Sequence, residues 1–198
     1  LMQVQGELVE EAMESFAVID LKAARVRRLP VALARYLRCH RPDALLAAMW
    51  PLTAIAPVAM RLSGHRCAVL VSEHNSLSLQ YRAWGLGRWA LLRFSMALGY
   101  RLANCRVGVS TGVVADVAAL SGLSPNSFHV IHNPVPTRPE PSDEAIRDAE
   151  ARWSGPRGAR IVTVGKMKAQ KNHPLLVRAF ARLGRPEARL MFVGDGPG

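Results

Sequence analysis

Residues 160–193, RIVTVGKMKAQKNHPLLVRAFARLGRPEARLMFV, decide the fold. The apolar runs Ile161–Val164 and Arg189–Val193 read as strands. Between them, Leu175, Leu176, Ala179, Phe180 and Leu183 recur at helical spacing over Pro174–Leu183. Proline sits at the start of that helix, where its missing N–H costs nothing. Strand, loop, helix, strand is a βαβ unit, and two parallel strands joined by a helix imply a parallel sheet. A unit of about 40 residues buries too little surface to stand alone.

The same grammar runs upstream. Pro30 opens a helix with Val31, Ala34 and Leu37 on one side, and Ala44–Ala48 reads as a buried strand. Thr53–Leu62 reads as a helix closed by Gly64, and Ala68–Ser72 as the next strand. A long helix bearing Arg and Trp is expected over 83–103, and a strand at Arg106–Val109. Ser110 is placed to cap a helix carrying Val113, Val114, Val117 and Leu120 that stops at Gly122, and Ser127–Ile131 reads as one more strand. Phe16–Asp20 also has strand composition. Alternating short strands and amphipathic helices predict a doubly wound α/β architecture.

Between the two stretches, residues 133–143 hold four prolines, which favour extended backbone, and a polar helix is expected near Glu144–Arg152. The expected organisation is a domain over 1–135, a linker over 136–158 and the opening of a second domain over 159–198. Both ends of the pattern look cut: the chain reads as a fragment.

The 198 residues, 49% hydrophobic with a mean hydropathy of +0.07, exclude a disordered tail. Cys39, Cys67 and Cys105 form no CxxC pair, so neither a disulfide framework nor a Cys-rich zinc site is expected, and the thiols read as reduced and mostly buried. Ala44–Met60 is uncharged for 17 residues but broken by Pro51 and Pro57, too short for a membrane span. With no export leader at the start, the expectation is cytoplasmic. The net charge is +11: residues 22–106 hold fourteen bases against Asp43 and Glu73 alone. Such a surface attracts polyanions without choosing among nucleic acid, anionic lipid and nucleotide diphosphates.

Two places could carry chemistry. In the loop after Val164, Gly165 permits a tight turn, Lys166 and Lys171 flank it, and Asn172 leads into a helix N-terminus. Backbone N–H groups, helix dipole and ammonium groups then converge, as a diphosphate requires. A solvated basic loop with Asn172 capping the helix explains the same residues. Glu73, His74 and Asn75 fall at the C-terminal end of a strand, where open α/β sheets bind ligands. Glu73 could orient His74, or His74 could simply pack there. His129 and His132, three apart on a strand, face opposite ways and cannot chelate one ion. Gly194, Gly196 and Gly198 follow a strand without completing a dinucleotide fingerprint. Tyr81, Trp84, Trp89, Phe94 and Tyr100 interleave with Arg82, Arg88, Arg93 and Arg101. They suit a membrane surface, stacked bases, or a half-buried helix with snorkelling arginines.

In order, RPDALLAAMW, VLVSEHN, CRVGVSTGVVADV, FHVIHNPV, IVTVGKMKAQKNHPLLVRAFARL and RLMFVGDGPG resemble the family-4 retaining glycosyltransferases of GT-B fold. These have two Rossmann-like domains with the active site in the cleft between them. The resemblance implies an acceptor domain followed by the first βαβ unit of a donor domain. It implies transfer of a sugar from a nucleotide diphosphate sugar to an acceptor hydroxyl with retention, in bacterial polysaccharide or glycolipid synthesis. His74 resembles the histidine near the donor sugar. Gly165, Lys166 and Lys171 match the diphosphate loop, with Lys166 where the family has Arg. Lysine lacks arginine's bidentate fork, which implies looser phosphate binding. Glu73, Asn75, Asn133, Gly194 and Gly196 would line the site, with Asn133 and Pro134 at the interdomain crossing. The family's first glycine-rich loop would precede residue 1 and its E-x7-E element would follow Gly198, so the fragment alone is expected to be inactive. No cofactor or metal is implied. The implied partners are a nucleotide sugar, a glycan or lipid-linked acceptor and an anionic membrane surface, not nucleic acid. A 2-epimerase of the same architecture and a non-catalytic polyanion-binding module are the alternatives.

Overall fold

Four strands pair in chain order in a wholly parallel sheet: β1 (Ala44–Ala48), β2 (Ala68–Glu73), β3 (Cys105–Gly108) and β4 (His129–Val130). The register aligns Ala44 with Ala68, Leu70 with Cys105 and Val107 with His129. This computed structural model describes residues 9–135, 139–153, 158–168 and 171–196. The expected residues Pro136 and Gly198 lie outside the described ones. The chain divides into two compact units, Leu1–Val135 and Pro136–Gly198.

In unit 1, helices α1 (Val9–Ser15) and α2 (Leu29–His40) precede the sheet, and α3 (Leu52–Ser63) joins β1 to β2. Then α4 (Leu77–Gln80) and α5 (Leu86–Leu102) join β2 to β3, and α6 (Thr111–Ser121) joins β3 to β4. Helix ends fall where sequence chemistry puts them. The Ser110 hydroxyl accepts from the Val113 N–H, while Gly64 and Gly122 close their helices in the left-handed region at φ 70° and 66°. Leu37, Val69, Val71, Leu92, Met96, Tyr100 and Val117 fill one core. Helix α3 lies between α2 and α5. Gly99 permits the approach of α5, since a Cβ there would stand 2.6 Å from the Ala54 Cα.

Three expectations fail for tertiary reasons. Residues 16–20 are irregular: a strand needs a ladder, and the Phe16 N–H instead bonds the Ala12 carbonyl at 2.9 Å, ending α1. β1 is not buried, because it is the sheet's edge; only Ala47 is enclosed and Leu46 is 68% exposed. The long helix expected over 83–103 does form, as α5, and Tyr81–Gly85 before it turn so that Tyr81 and Trp84 pack on Trp50. Cys39 is exposed and Cys67 and Cys105 are half-buried, because none sits on a fully covered face.

In unit 2, α7 (Asp143–Ala151) starts on the Ser142 hydroxyl, which accepts from the Ala145 N–H. Glu150 at its end meets Arg160, whose Nη1 lies 2.7 Å from both carboxylate oxygens and whose guanidinium stacks over Trp153. Strands β5 (Arg160–Val164) and β6 (Arg189–Val193) pair in parallel, with α8 (His173–Arg182) between them in sequence. Val162 and Val164 are 54% and 71% exposed, so one face of this sheet stands open.

Candidate functional site

Strand periodicity builds the unit 1 cluster. Residues two apart share a face, so the side of β2 that buries Val69 and Val71 also takes Glu73, 1% exposed. A carboxylate there needs a donor. The register supplies one: the chain leaving β1 turns at Met49, at φ 66°, and the Trp50 N–H donates to Glu73 at 2.6 and 3.3 Å. Burial pushes the Glu73 carboxyl from 4.5 up to about 7; the Trp50 N–H opposes the shift and the Asp116 charge adds to it. Tyr81 and Tyr100 are pushed upward too, first by burial and then by Glu73. The Thr53 and Tyr100 hydroxyls are buried close to each other but outside hydrogen-bond geometry.

His74 takes the opposite side, with Nε2 3.3 Å from the Ser72 hydroxyl. Glu73 therefore does not orient His74; alternation along the strand turns it toward Trp50. Asn75 follows, half-buried. Because β2, β3 and β4 are parallel, the segments after them leave from one sheet edge. The Val109 N–H bonds the Glu73 carbonyl, and a His132 ring nitrogen lies 3.0 Å from the Val109 carbonyl. That edge holds His74, Asn75 and exposed Asn133, the position the sequence expects for ligands.

In unit 2 the loops after β5 and β6 interlock. The Gly165 N–H bonds the Val193 carbonyl at 2.9 Å and the Met167 N–H bonds the Asp195 carbonyl at 2.7 Å. Gly165, Gly194 and Gly196 hold φ of 148°, 151° and 148°, open only to glycine without strain. A Cβ on Gly194 would collide with the Gly165 carbonyl, and one on Gly196 would stand 2.9 Å from the Met167 N. Lys171 folds back over Gly165, its Cε 3.3 Å and Nζ 3.7 Å from where a Cβ would sit. Gly165, Lys171, Gly194 and Gly196 thus gather at the C-terminal ends of two parallel strands, with exposed Lys166 adjoining Gly165. Asn172 leads α8 from the left-handed region at φ 48° without a side-chain cap bond, so the capping role read from its amide is absent. Among the described residues no three His, Cys, Asp or Glu side chains are placed to hold a metal ion.

The model of Glycosyltransferase Family 4 matches residues 7–138, about two thirds of the chain. The chain belongs to this family. It is 24% identical over 136 residues to the N-acetylgalactosamine-N,N'-diacetylbacillosaminyl-diphospho-undecaprenol 4-alpha-N-acetylgalactosaminyltransferase of Campylobacter jejuni, covering 69% of this chain and 35% of that protein. Among solved structures it resembles the Anabaena protein Alr3699/HepE in complex with UDP-glucose, with TM-score 0.68 and 16% identity, covering 95% of this chain and 49% of that one. It also resembles the lipopolysaccharide outer core galactosyltransferase WaaB, with TM-score 0.55 and 20% identity, covering 92% and 45%. The fold is that of the GT-B glycosyltransferases. The chain spans about a third of the curated relative's length and under half of the solved chains.

Sequence reasoning missed Trp50, Tyr100 and Asp116 as the setting of Glu73. Alternation from Val69 through Val71 was signal enough to turn Glu73 inward. The Trp50 partnership had no local signal, because it depends on the register between two strands.

Proposed function

We propose that this family-4 protein is a retaining glycosyltransferase. It moves a hexose or related sugar from a nucleotide diphosphate sugar to a hydroxyl of a glycan or lipid-linked acceptor, in bacterial polysaccharide or glycolipid synthesis. The observation that carries the reading is the unit 2 cradle: Lys171 laid over Gly165, beside two loops that only glycine can build. Glycines let a diphosphate approach the backbone, and a lysine meets the charge that grows on the departing phosphate. With Lys166 beside it, the loop supplies positive charge without a metal ion. His74, held through Ser72 at the edge of the unit 1 sheet, is the group assigned to the donor sugar, with Asn75 and Asn133 lining the acceptor side. Glu73 acts behind it by fixing the Trp50 turn. Relatives with UDP-glucose bound, or named for a diphospho-undecaprenol acceptor, support both substrate classes. The working location is the cytoplasmic face of a membrane.

The test is donor turnover by the full-length protein, with product anomers read by NMR. Lys171→Ala is expected to lower kcat/KM at least tenfold, or about 1.4 kcal/mol of transition-state stabilisation, with thermal stability unchanged. Near-wild-type turnover in this variant removes the assigned role. Steeply salt-dependent DNA retention without nucleotide-sugar binding would favour the polyanion-binding alternative instead.

A further inference from the structure

The edge where the parallel strands of unit 1 begin lies opposite the His74 edge, and it carries a cavity of about 360 Å³. Three segments shape it: the end of α3, the chain entering β2 and the chain entering β3. A second cavity of about 210 Å³ adjoins it through Gly64, His65 and Arg66, and adds Arg38 and Arg41 at the end of α2. Cations gather here without counterions. Between Lys22 and Ser72 the sole acidic residue is Asp43, which lines neither cavity. Helix C-termini attract cations, and Arg38 answers that need: its guanidinium donates to the Ser63 and Leu62 carbonyls at 3.0 and 3.2 Å. Arg41, Arg61 and Arg66 are exposed, and among the described residues none of them pairs with a carboxylate. The turn between Arg61 and Arg66 is fixed. The Ser63 hydroxyl donates to the Met60 carbonyl and accepts from the His65 N–H, while the His65 Nε2 donates to the Pro42 carbonyl at 2.8 Å. Asn104 is fixed as well: its Oδ1 accepts from the Val69 N–H at 2.9 Å, which leaves its amide NH2 as the group it offers a ligand. Met60 and Leu102 supply an apolar wall.

We propose that this cavity binds the phosphate groups of a small soluble molecule, with Arg61 and Arg66 as the phosphate ligands and Asn104 as a neutral donor. Guanidinium groups meet phosphate oxygens through paired, charge-assisted hydrogen bonds, and the volume is that of a small-molecule site. A flat bilayer or a duplex would touch the rim and leave the recess empty. The site stands apart from the His74 edge, and the inference does not rest on the transferase reading.

The test is calorimetric titration of the full-length protein with inorganic pyrophosphate at constant ionic strength, in a parent carrying Lys171→Ala so that the unit 2 cradle contributes little. Saturable binding is expected. Arg61→Ala with Arg66→Ala lowers that affinity at least about tenfold, as loss of charge-assisted hydrogen bonds requires, and Arg66→Glu alone does the same. Both arginines are exposed and lack a carboxylate partner, so the urea midpoint stays at the parent value in both variants. Pyrophosphate is also expected to slow iodoacetamide alkylation of Cys67, which lines the cavity, but not of exposed Cys39, with both read by mass spectrometry. No binding by the parent, binding that neither arginine variant weakens, or equal slowing of the two thiols overturns the proposal. So does failure to slow Cys67. Binding to phosphatidylglycerol vesicles that the arginine variants weaken, without pyrophosphate binding, overturns it too, since the arginines then serve a lipid surface and the cavity takes no soluble ligand.

Discussion

Replacing Glu73 with Gln tests whether the strand's alternation has forced a titrating carboxyl into the core. The native carboxyl lies 1% exposed, facing the Trp50 N–H, with Asp116 from α6 and Tyr81 and Tyr100 around α5 as its titratable surroundings. Its proton leaves at about 7 in the fold against 4.5 in the unfolded chain. Between those values the folded state binds more protons, so stability falls as pH rises through the window and is flat with respect to this group outside it. At about 1.4 kcal/mol per pH unit the full effect is about 3 kcal/mol, most of it between pH 5 and 8. Urea unfolding followed by tryptophan fluorescence reads unit 1 if Trp153 is changed to Phe in both proteins, since Trp50, Trp84 and Trp89 all lie in that unit. The difference between wild type and Glu73→Gln isolates one group from the other carboxylates and histidines. Glutamine keeps the acceptor for the Trp50 N–H and cannot titrate. The variant should therefore gain about 2–3 kcal/mol relative to wild type on going from pH 5 to pH 8. Parallel curves, within about 0.5 kcal/mol, would mean that Glu73 ionises as easily folded as unfolded, and the account of its burial would be wrong.

Gly194→Ala puts a methyl group into the Gly165 carbonyl at φ 151°, so nucleoside diphosphate affinity measured by calorimetry should fall at least tenfold while the unit 1 unfolding transition stays put. Gly99→Ala drives a Cβ against the Ala54 backbone and should cost unit 1 about 1–3 kcal/mol in urea, through separation of α5 from α3; an unchanged midpoint would show that the helices yield freely.

Much of the architecture was legible because its signals are local. Apolar runs marked β2, β3, β5 and β6, Ser110 marked a helix start, and Gly64 and Gly122 marked two stops. The glycine- and lysine-bearing loop after β5 was legible for the same reason: Gly165, Lys166 and Lys171 lie within seven residues. That Gly194 and Gly196 close on that loop was not, since the contact spans a helix and exists only because β5 and β6 pair.

By itself the sequence determined what short-range chemistry determines: the order of strands and helices, where helices begin and end, and the basic, glycine-bearing loop. Tertiary structure alone decided which faces of those elements are covered. It made apolar β1 an exposed edge, left Phe16–Asp20 without strand structure and turned Tyr81 and Trp84 onto Trp50. It separated Glu73 from His74 and gave each its own partner. It also left Leu91, Phe94 and Leu98 outward on a helix whose Leu92, Met96 and Tyr100 fill the core. The physical reason is common to all of these: burial and strand pairing are relations between distant segments, and no residue states them alone.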